Sequence, residues 1–105
     1  MVLIHIVSNN DNMANDIVDF LVNNKLILDA VMMEKVTMRK KGNDNQLVSE
    51  NKTLIMGKTK SLLFNLIDTK LRERYKDDMP ILYSVPIVNM DWDQANELIK
   101  ETITV

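Results

Sequence analysis

Two stretches of the sequence place an apolar residue at every fourth position, and each follows a run of apolar and β-branched residues. The repeating positions are Met13, Ile17 and Leu21 in the first stretch and Leu63, Ile67 and Leu71 in the second. This spacing puts the side chains on one face of an α-helix. The runs before them, residues 2–8 and 48–58, have the composition of strands. The chain is therefore expected to alternate strands with amphipathic helices.

A hairpin is predicted between the two helices. Residues 27–39 form a long run of apolar, β-branched and alternating charged side chains, which indicates a second strand. Its alternation breaks near Glu34 and Lys35, where we expect a bulge. Residues 40–45 (Lys-Lys-Gly-Asn-Asp-Asn) are the clearest turn in the chain and join this strand to residues 48–58. The polar residues 49–52 predict that the start of the return strand projects past the core.

Short polar side chains mark the expected starts of the two helices. Asp11 or Asn12 is predicted to cap the first helix, because a short polar side chain accepts a bond from the free N–H groups of the first turn. Thr59 or Ser61 is predicted to do the same for the second helix, which runs to about Tyr75.

The last third of the chain predicts one more strand and a short helix. Residues 81–88 form the strand, and Pro86 removes one hydrogen-bond donor from it, which favours an edge position or a bulge. Asp91 followed by Gln94 resembles a capping box at the start of the final helix.

The element order predicts an α+β, ferredoxin-like fold: a βαββαβ sandwich with a four-stranded antiparallel sheet and an additional C-terminal helix. We expect residues 1–105 to form a single domain. Right-handed crossovers put both helices on one face of the sheet. The strands nevertheless offer apolar residues to both faces, so we expect copies of the chain to associate through the sheet, with the long hairpin reaching a neighbour.

Composition excludes several classes of function. The chain has 105 residues, 13 Lys and Arg, 15 Asp and Glu, and a net charge of −2, which argues against a nucleic-acid partner. It has no cysteine, which excludes disulfides, thiolate zinc sites, iron–sulfur clusters and cysteine nucleophiles. No targeting segment is visible, and no apolar run approaches the ~18 residues of a membrane-spanning helix. We expect a cytoplasmic protein with no membrane partner.

No catalytic or phosphate-binding motif is present, and two glycines are too few for a phosphate-cradling loop. His5 is the only imidazole and the one weak candidate for a metal ligand. Its place in an apolar strand with no partner nearby in the sequence favours a structural role. We therefore predict a protein that is not an enzyme, and a divalent metal ion is the candidate cofactor.

Four other groups of residues have side chains that could form a site. The pairs Asp77–Asp78 and Asp91/Asp93 lack the spacing of a calcium loop and are typical of helix ends. The basic run 39–41 (Arg-Lys-Lys) is typical of a solvated turn. The run 58–60 (Lys-Thr-Lys) lies where a strand meets a helix, a place that can bind an anion. Strand methionines more often fill core gaps or subunit contacts than bind copper(I); the ones concerned are Met32, Met33, Met38 and Met56.

The chain resembles the CutA family of small trimeric ferredoxin-like proteins, named for divalent-cation tolerance, over nearly its full length. Residues 24–31 (Asn-Lys-Leu-Ile-Leu-Asp-Ala-Val) are similar to the end of that family's first helix and its second strand. Residues 54–59 (Leu-Ile-Met-Gly-Lys-Thr) match its strand ending in Lys-Thr. The most specific match is residues 80–91, with prolines at 80 and 86 and an aspartate at 91. Gly42 corresponds to the glycine of the family's hairpin.

The chain also departs from the family pattern. The aromatic residues that usually stand two and four positions before the hairpin glycine are Lys40 and Met38 here, and an acidic residue after the first proline is Ile81. The cysteine and histidine ligands of copper in some members have no counterpart. Lys58 and Thr59 are the polar residues that the resemblance assigns to a pocket between subunits.

Three functions remain open from the sequence. The resemblance implies a non-enzymatic homotrimer, a binding or regulatory module for divalent-metal homeostasis. The alternative is a PII-like signalling trimer, which shares the topology and binds a nucleotide or another small anion between subunits. A small enzyme with its site between subunits ranks last, because the sequence has no evident catalytic pair.

Overall fold

The computed structural model describes residues 1–105 and confirms the α+β, ferredoxin-like arrangement with an additional C-terminal helix. In chain order the elements are β1 (Val2–Ser8), α1 (Asp11–Asn23), β2 (Ala30–Lys41), β3 (Leu47–Thr59), α2 (Phe64–Tyr75), β4 (Ile81–Pro86) and α3 (Trp92–Glu101). The strands form one antiparallel sheet in the order β2-β3-β1-β4. None of the helices has the length and apolar character needed to cross a lipid bilayer.

The core lies between one face of the sheet and helices α1 and α2. β1 contributes its even-numbered side chains to this face, because successive residues of a strand point to opposite sides. The fully buried side chains of the core are Ile4, Ile6, Ala14, Ile17, Leu21, Ile55, Leu63, Ile67 and Leu71. Five of the six repeating positions of the predicted helices are among them, and the sixth, Met13, belongs to the same core at 9% exposure, which confirms that those faces build the core.

Both helix starts differ from prediction. Asn10, in an extended conformation, caps α1 by accepting a 2.8 Å bond from the backbone N–H of Met13. Asp11 instead accepts a hydrogen bond from Thr53 of β3. α2 has no side-chain cap, because the Thr59 hydroxyl is used elsewhere and Ser61 opens a 3₁₀ turn that leads into the helix at Phe64. The predicted cap of α3 is confirmed, since the Asp91 carboxylate accepts from the backbone N–H groups of Asp93 and Gln94.

β2 begins at Ala30, three residues later than predicted, because Leu26 and Ile27 lie in a loop and pack their side chains into the core. Gly57 of β3 makes room for that loop. A methyl group at Gly57 would lie 2.9 Å from Ile27 Cδ1 and 3.1 Å from the Asp29 carbonyl oxygen. The absence of a side chain at this position therefore lets the loop pack directly on the sheet.

The hairpin of β2 and β3 extends past the rest of the sheet. β1 pairs with β3 only from Thr53 to Thr59, so the earlier residues of β3 pair with β2 alone. The predicted bulge is confirmed between Met33 and Val36, where Lys35 adopts a positive φ of 56°. β4 is an edge strand, as Pro86 predicted, and it ends there instead of at residue 88.

A polar cluster joins α1 to α2 on the solvent side. Asp16 accepts two hydrogen bonds from the Arg74 guanidinium, at 2.8 and 2.9 Å, and another from the Tyr75 hydroxyl. The guanidinium also lies 4.7 Å from the ring centre of Phe20. The hydrogen bonds from Arg74 and Tyr75 lower the pKa of Asp16 to about 2. Burial, and to a smaller extent the hydrogen bond to Asp16, raises the pKa of Tyr75 to about 12.

Substitution Asp16→Asn should destabilise the fold, because Arg74 and Tyr75 lose their shared carboxylate. Asp16 is largely solvated, so screening limits the loss to about 0.5–1 kcal/mol in the free energy of unfolding. Urea denaturation measures it, with Asp19→Asn on the same helix as the control, since Asp19 forms no ion pair. Equal losses in the two variants would contradict the role of the cluster.

The same cluster predicts how stability depends on pH. The carboxyl of Asp16 is more acidic in the folded chain than its ordinary pKa of 3.8, so its contribution is complete above about pH 4 and is lost as the pH falls towards 2. The stability difference between wild type and Asp16→Asn should therefore shrink over this range. A difference that stays constant from pH 6 to pH 2 would contradict the assignment.

Candidate functional site

The face of the sheet opposite the helices is covered by nothing in the single chain. The strand register places its residues in three rows across the sheet. These are Lys58, Leu3 and Val85; Val31, Met56, His5 and Tyr83; and Met33, Leu54, Val7 and Ile81. We call these eleven residues the open face. Lys58 is its only charged residue apart from the titratable imidazole of His5.

Large side chains of the open face are well exposed. Val31 is 59% exposed, Met33 48% and Tyr83 46%. A contiguous apolar surface of this kind on a soluble domain marks an interaction site, because water contact with it is unfavourable. This confirms that the fold leaves one apolar side of the sheet uncovered, as the element order predicted.

His5 lies in the middle row of the open face. Its Nδ1 is 3.1 Å from the Tyr83 hydroxyl, and the two rings are tilted with centroids 5.0 Å apart. The imidazole therefore has the hydrogen-bond partner that a structural histidine requires, while Nε2 forms no hydrogen bond within the chain. Sequence spacing could not reveal this pair, because 78 residues separate its members.

The two residues assigned to a pocket between subunits point to opposite faces. Lys58 lies on the open face, with its Nζ 3.7 Å from a carboxylate oxygen of Asp29. Together with Leu3, Val31 and Met56 this pair lines a depression of about 260 Å³. Thr59 is buried on the helix side, and its hydroxyl donates a 2.6 Å bond to the Leu26 carbonyl. The structure thus separates the two, and Asp29 is the neighbour of Lys58 that sequence reasoning missed.

Lys60 does not join Lys58 in an anion site. Its Nζ donates to the carbonyl oxygens of Thr102 and Ile103, at 3.3 and 2.8 Å. The N–H of Ile103 donates in turn to the carbonyl of Lys25, which ties the end of the chain to the loop after α1. Lys60 therefore anchors the C-terminal segment.

Each of the remaining charged groups has at least one residue with a structural partner. Asp91 caps α3, and Asp78 accepts a hydrogen bond from Asn9. In the basic run, Lys40 pairs with Glu50 at 3.3 Å across the hairpin. Hydrogen bonds from Lys52 and, to a smaller extent, from Lys40 lower the pKa of the Glu50 carboxyl. No group of three or more His, Asp or Glu side chains in the single chain is placed to hold a metal ion.

Several solved structures share this arrangement. CutA1 of Pyrococcus horikoshii superposes with a TM-score of 0.89 at 17% identity, over 99% of this chain and 100% of its own. The divalent cation tolerance protein of Thermus thermophilus gives 0.87 at 17%, over 97% and 99%. The periplasmic divalent cation tolerance protein CutA of Archaeoglobus fulgidus gives 0.86 at 15%, over 96% and 98%. The chain has the CutA1 fold.

The sequence alone matches no protein-family model and no curated protein. Sequence identity in these three superpositions is only 15–17%, so the similarity to CutA1 proteins is a similarity of fold. It confirms the resemblance at that level: the hairpin, both crossover helices and the C-terminal helix all fall within the superposed length.

Thr59 should prove to be a structural residue of the CutA1 fold. In Thr59→Val the Leu26 carbonyl loses its buried donor, and the free energy of unfolding should fall by about 1–3 kcal/mol. Thr59→Ser keeps the hydroxyl and serves as the matched control, with a clearly smaller loss in chemical denaturation. Full stability of Thr59→Val would show that the buried bond is dispensable.

Proposed function

We propose that this chain is a non-enzymatic, homotrimeric CutA-type protein that acts in divalent-cation tolerance in the cytoplasm. The open face carries the proposal, since it is an apolar surface on a fold shared with proteins described as divalent cation tolerance proteins. Burying such a surface contributes about 25 cal/mol per Å². A second and a third copy of the chain provide a cover of matching size and chemistry.

The edges of the sheet support assembly from identical copies. β2 and β4 both lie at an edge, and each exposes a row of backbone hydrogen-bonding groups on its outer side. An edge of one copy paired with the opposite edge of the next is a heterologous contact, which forms a ring when the rotation between copies closes. A closed ring of three covers both edges and turns the open faces inward.

The projecting hairpin reaches beyond the sheet of its own chain and is the segment best placed to contact the next copy. Lys58 and Asp29 lie at the rim of the open face, where one copy meets another. We therefore propose Lys58 as a ligand-binding residue of the cleft between subunits, with Thr59 fixing the end of β3 behind it. The PII-like alternative relies on the same cleft and gains no separate observation.

The chain should behave as a trimer in analytical ultracentrifugation at micromolar concentration. Val31→Lys puts a charge on the open face and should convert the trimer to monomers with an unchanged far-UV circular dichroism spectrum. Leu62→Lys is the matched control, because Leu62 is 74% exposed but lies outside the open face. A wild-type monomer, or a trimer that survives Val31→Lys, would refute the assembly.

The proposed role is tested in bacteria that lack their own CutA protein. Expression of the wild-type chain should let the cells grow at a higher concentration of copper(II) than cells expressing Val31→Lys at the same level. Equal growth would argue against a role in cation tolerance while leaving the assembly intact. Cell fractionation in the native host tests the cytoplasmic location.

A further inference from the structure

We propose that the three copies of His5 in the trimer meet on its symmetry axis and bind one divalent transition-metal ion through their Nε2 atoms. This proposal rests on the proposed homotrimer. The single chain holds no group of three metal-ligating residues, so the site exists only when each copy contributes its imidazole.

The position of His5 on the open face is the first argument. β1 is an interior strand, with β3 on one side and β4 on the other, and His5 is its central residue. Met56 and Tyr83 flank it across the sheet, and Leu3 and Val7 flank it along the strand. Whatever covers the open face therefore covers His5.

The size of the sheet brings the imidazoles together. Four strands spaced about 4.8 Å apart give a sheet about 19 Å wide, and three such sheets in a triangle place the middle of each about 5–6 Å from the axis. An extended imidazole side chain spans this distance. The layer formed by Val7 is apolar, and the layer formed by Leu3 is apolar apart from Lys58, so both limit the access of water to the layer of His5.

The hydrogen bond to Tyr83 gives the imidazole the form of a metal ligand. Histidine ligands of metals usually donate their second ring N–H to an oxygen, which fixes the ring and leaves the other nitrogen for the metal. In the tautomer in which Nδ1 donates to the Tyr83 hydroxyl, Nε2 keeps its lone pair free for a metal ion. Three such nitrogens match the ligand set of zinc sites that keep a fourth position open, and imidazole also suits copper and nickel.

Few charged groups lie near the His5 imidazole. The nearest charged groups are Lys58 and Asp29, one row away and paired with each other, and Tyr83 is the only other titratable group beside His5. In the trimer the same groups of the two other copies face it. Three protonated imidazoles would repel one another, so the metal should be released in acid.

Cobalt(II) titration of the chelator-treated trimer at pH 7.5 tests the proposal. We expect one cobalt per three chains, a visible absorption band of four-coordinate cobalt, and loss of the metal below about pH 5.5. His5→Gln should abolish binding, while Met56→Leu, the matched control on the neighbouring strand, should retain it. Tyr83→Phe should keep the stoichiometry and weaken binding about tenfold, because the ring loses its orienting partner.

Sedimentation of the same samples separates this proposal from the proposed function. A trimer that binds no cobalt, or that binds it equally well as His5→Gln, overturns the His5 site and leaves the trimer standing. A monomeric wild-type chain overturns both. A trimer with one cobalt per chain also overturns the site, since the axis accommodates only one ion for three copies.

Discussion

One constraint governs this structure: a four-stranded sheet whose helices cover a single face. Alternation along β1 sends Ile4 and Ile6 into the helix-covered core and His5 to the other side. The core is complete without the second face, because α1 and α2 supply every helical side chain that it needs. The apolar residues of the open face therefore have no partner within the chain. The proposed assembly rests on this imbalance more directly than on any single residue.

The same alternation explains how neighbouring residues acquire different roles. Lys58 and Thr59 are adjacent in the sequence, yet one faces outward beside Asp29 and the other closes a buried hydrogen bond to Leu26. Thr59 holds the loop before β2 against the end of β3, next to Gly57, where the loop packs most closely. The position of Lys58 at the rim thus depends on a buried contact directly behind it.

Local patterns predicted the order of elements, the hairpin, the bulge near Lys35 and the edge position of β4. Each of these follows from residues close together in the chain, such as Pro86 in its strand. The sequence could not show that Asn10 caps α1 while Asp11 binds Thr53, because several polar residues in succession can each cap a helix. The His5–Tyr83 pair was equally hidden, since it depends on the register between β1 and β4.

The places where the chain departs from the CutA pattern explain why its fold persists at so low an identity. Met38 and Lys40 replace aromatic residues, and both lie where β3 pairs with β2 alone, opposite Glu50 and Val48. That part of the hairpin lies outside the region where β1 and the helices build the core. Substitutions there change the exposed surface of the hairpin without altering the packed layers. The core needs only apolar side chains at alternating strand positions and at every fourth helix position, which many sequences satisfy.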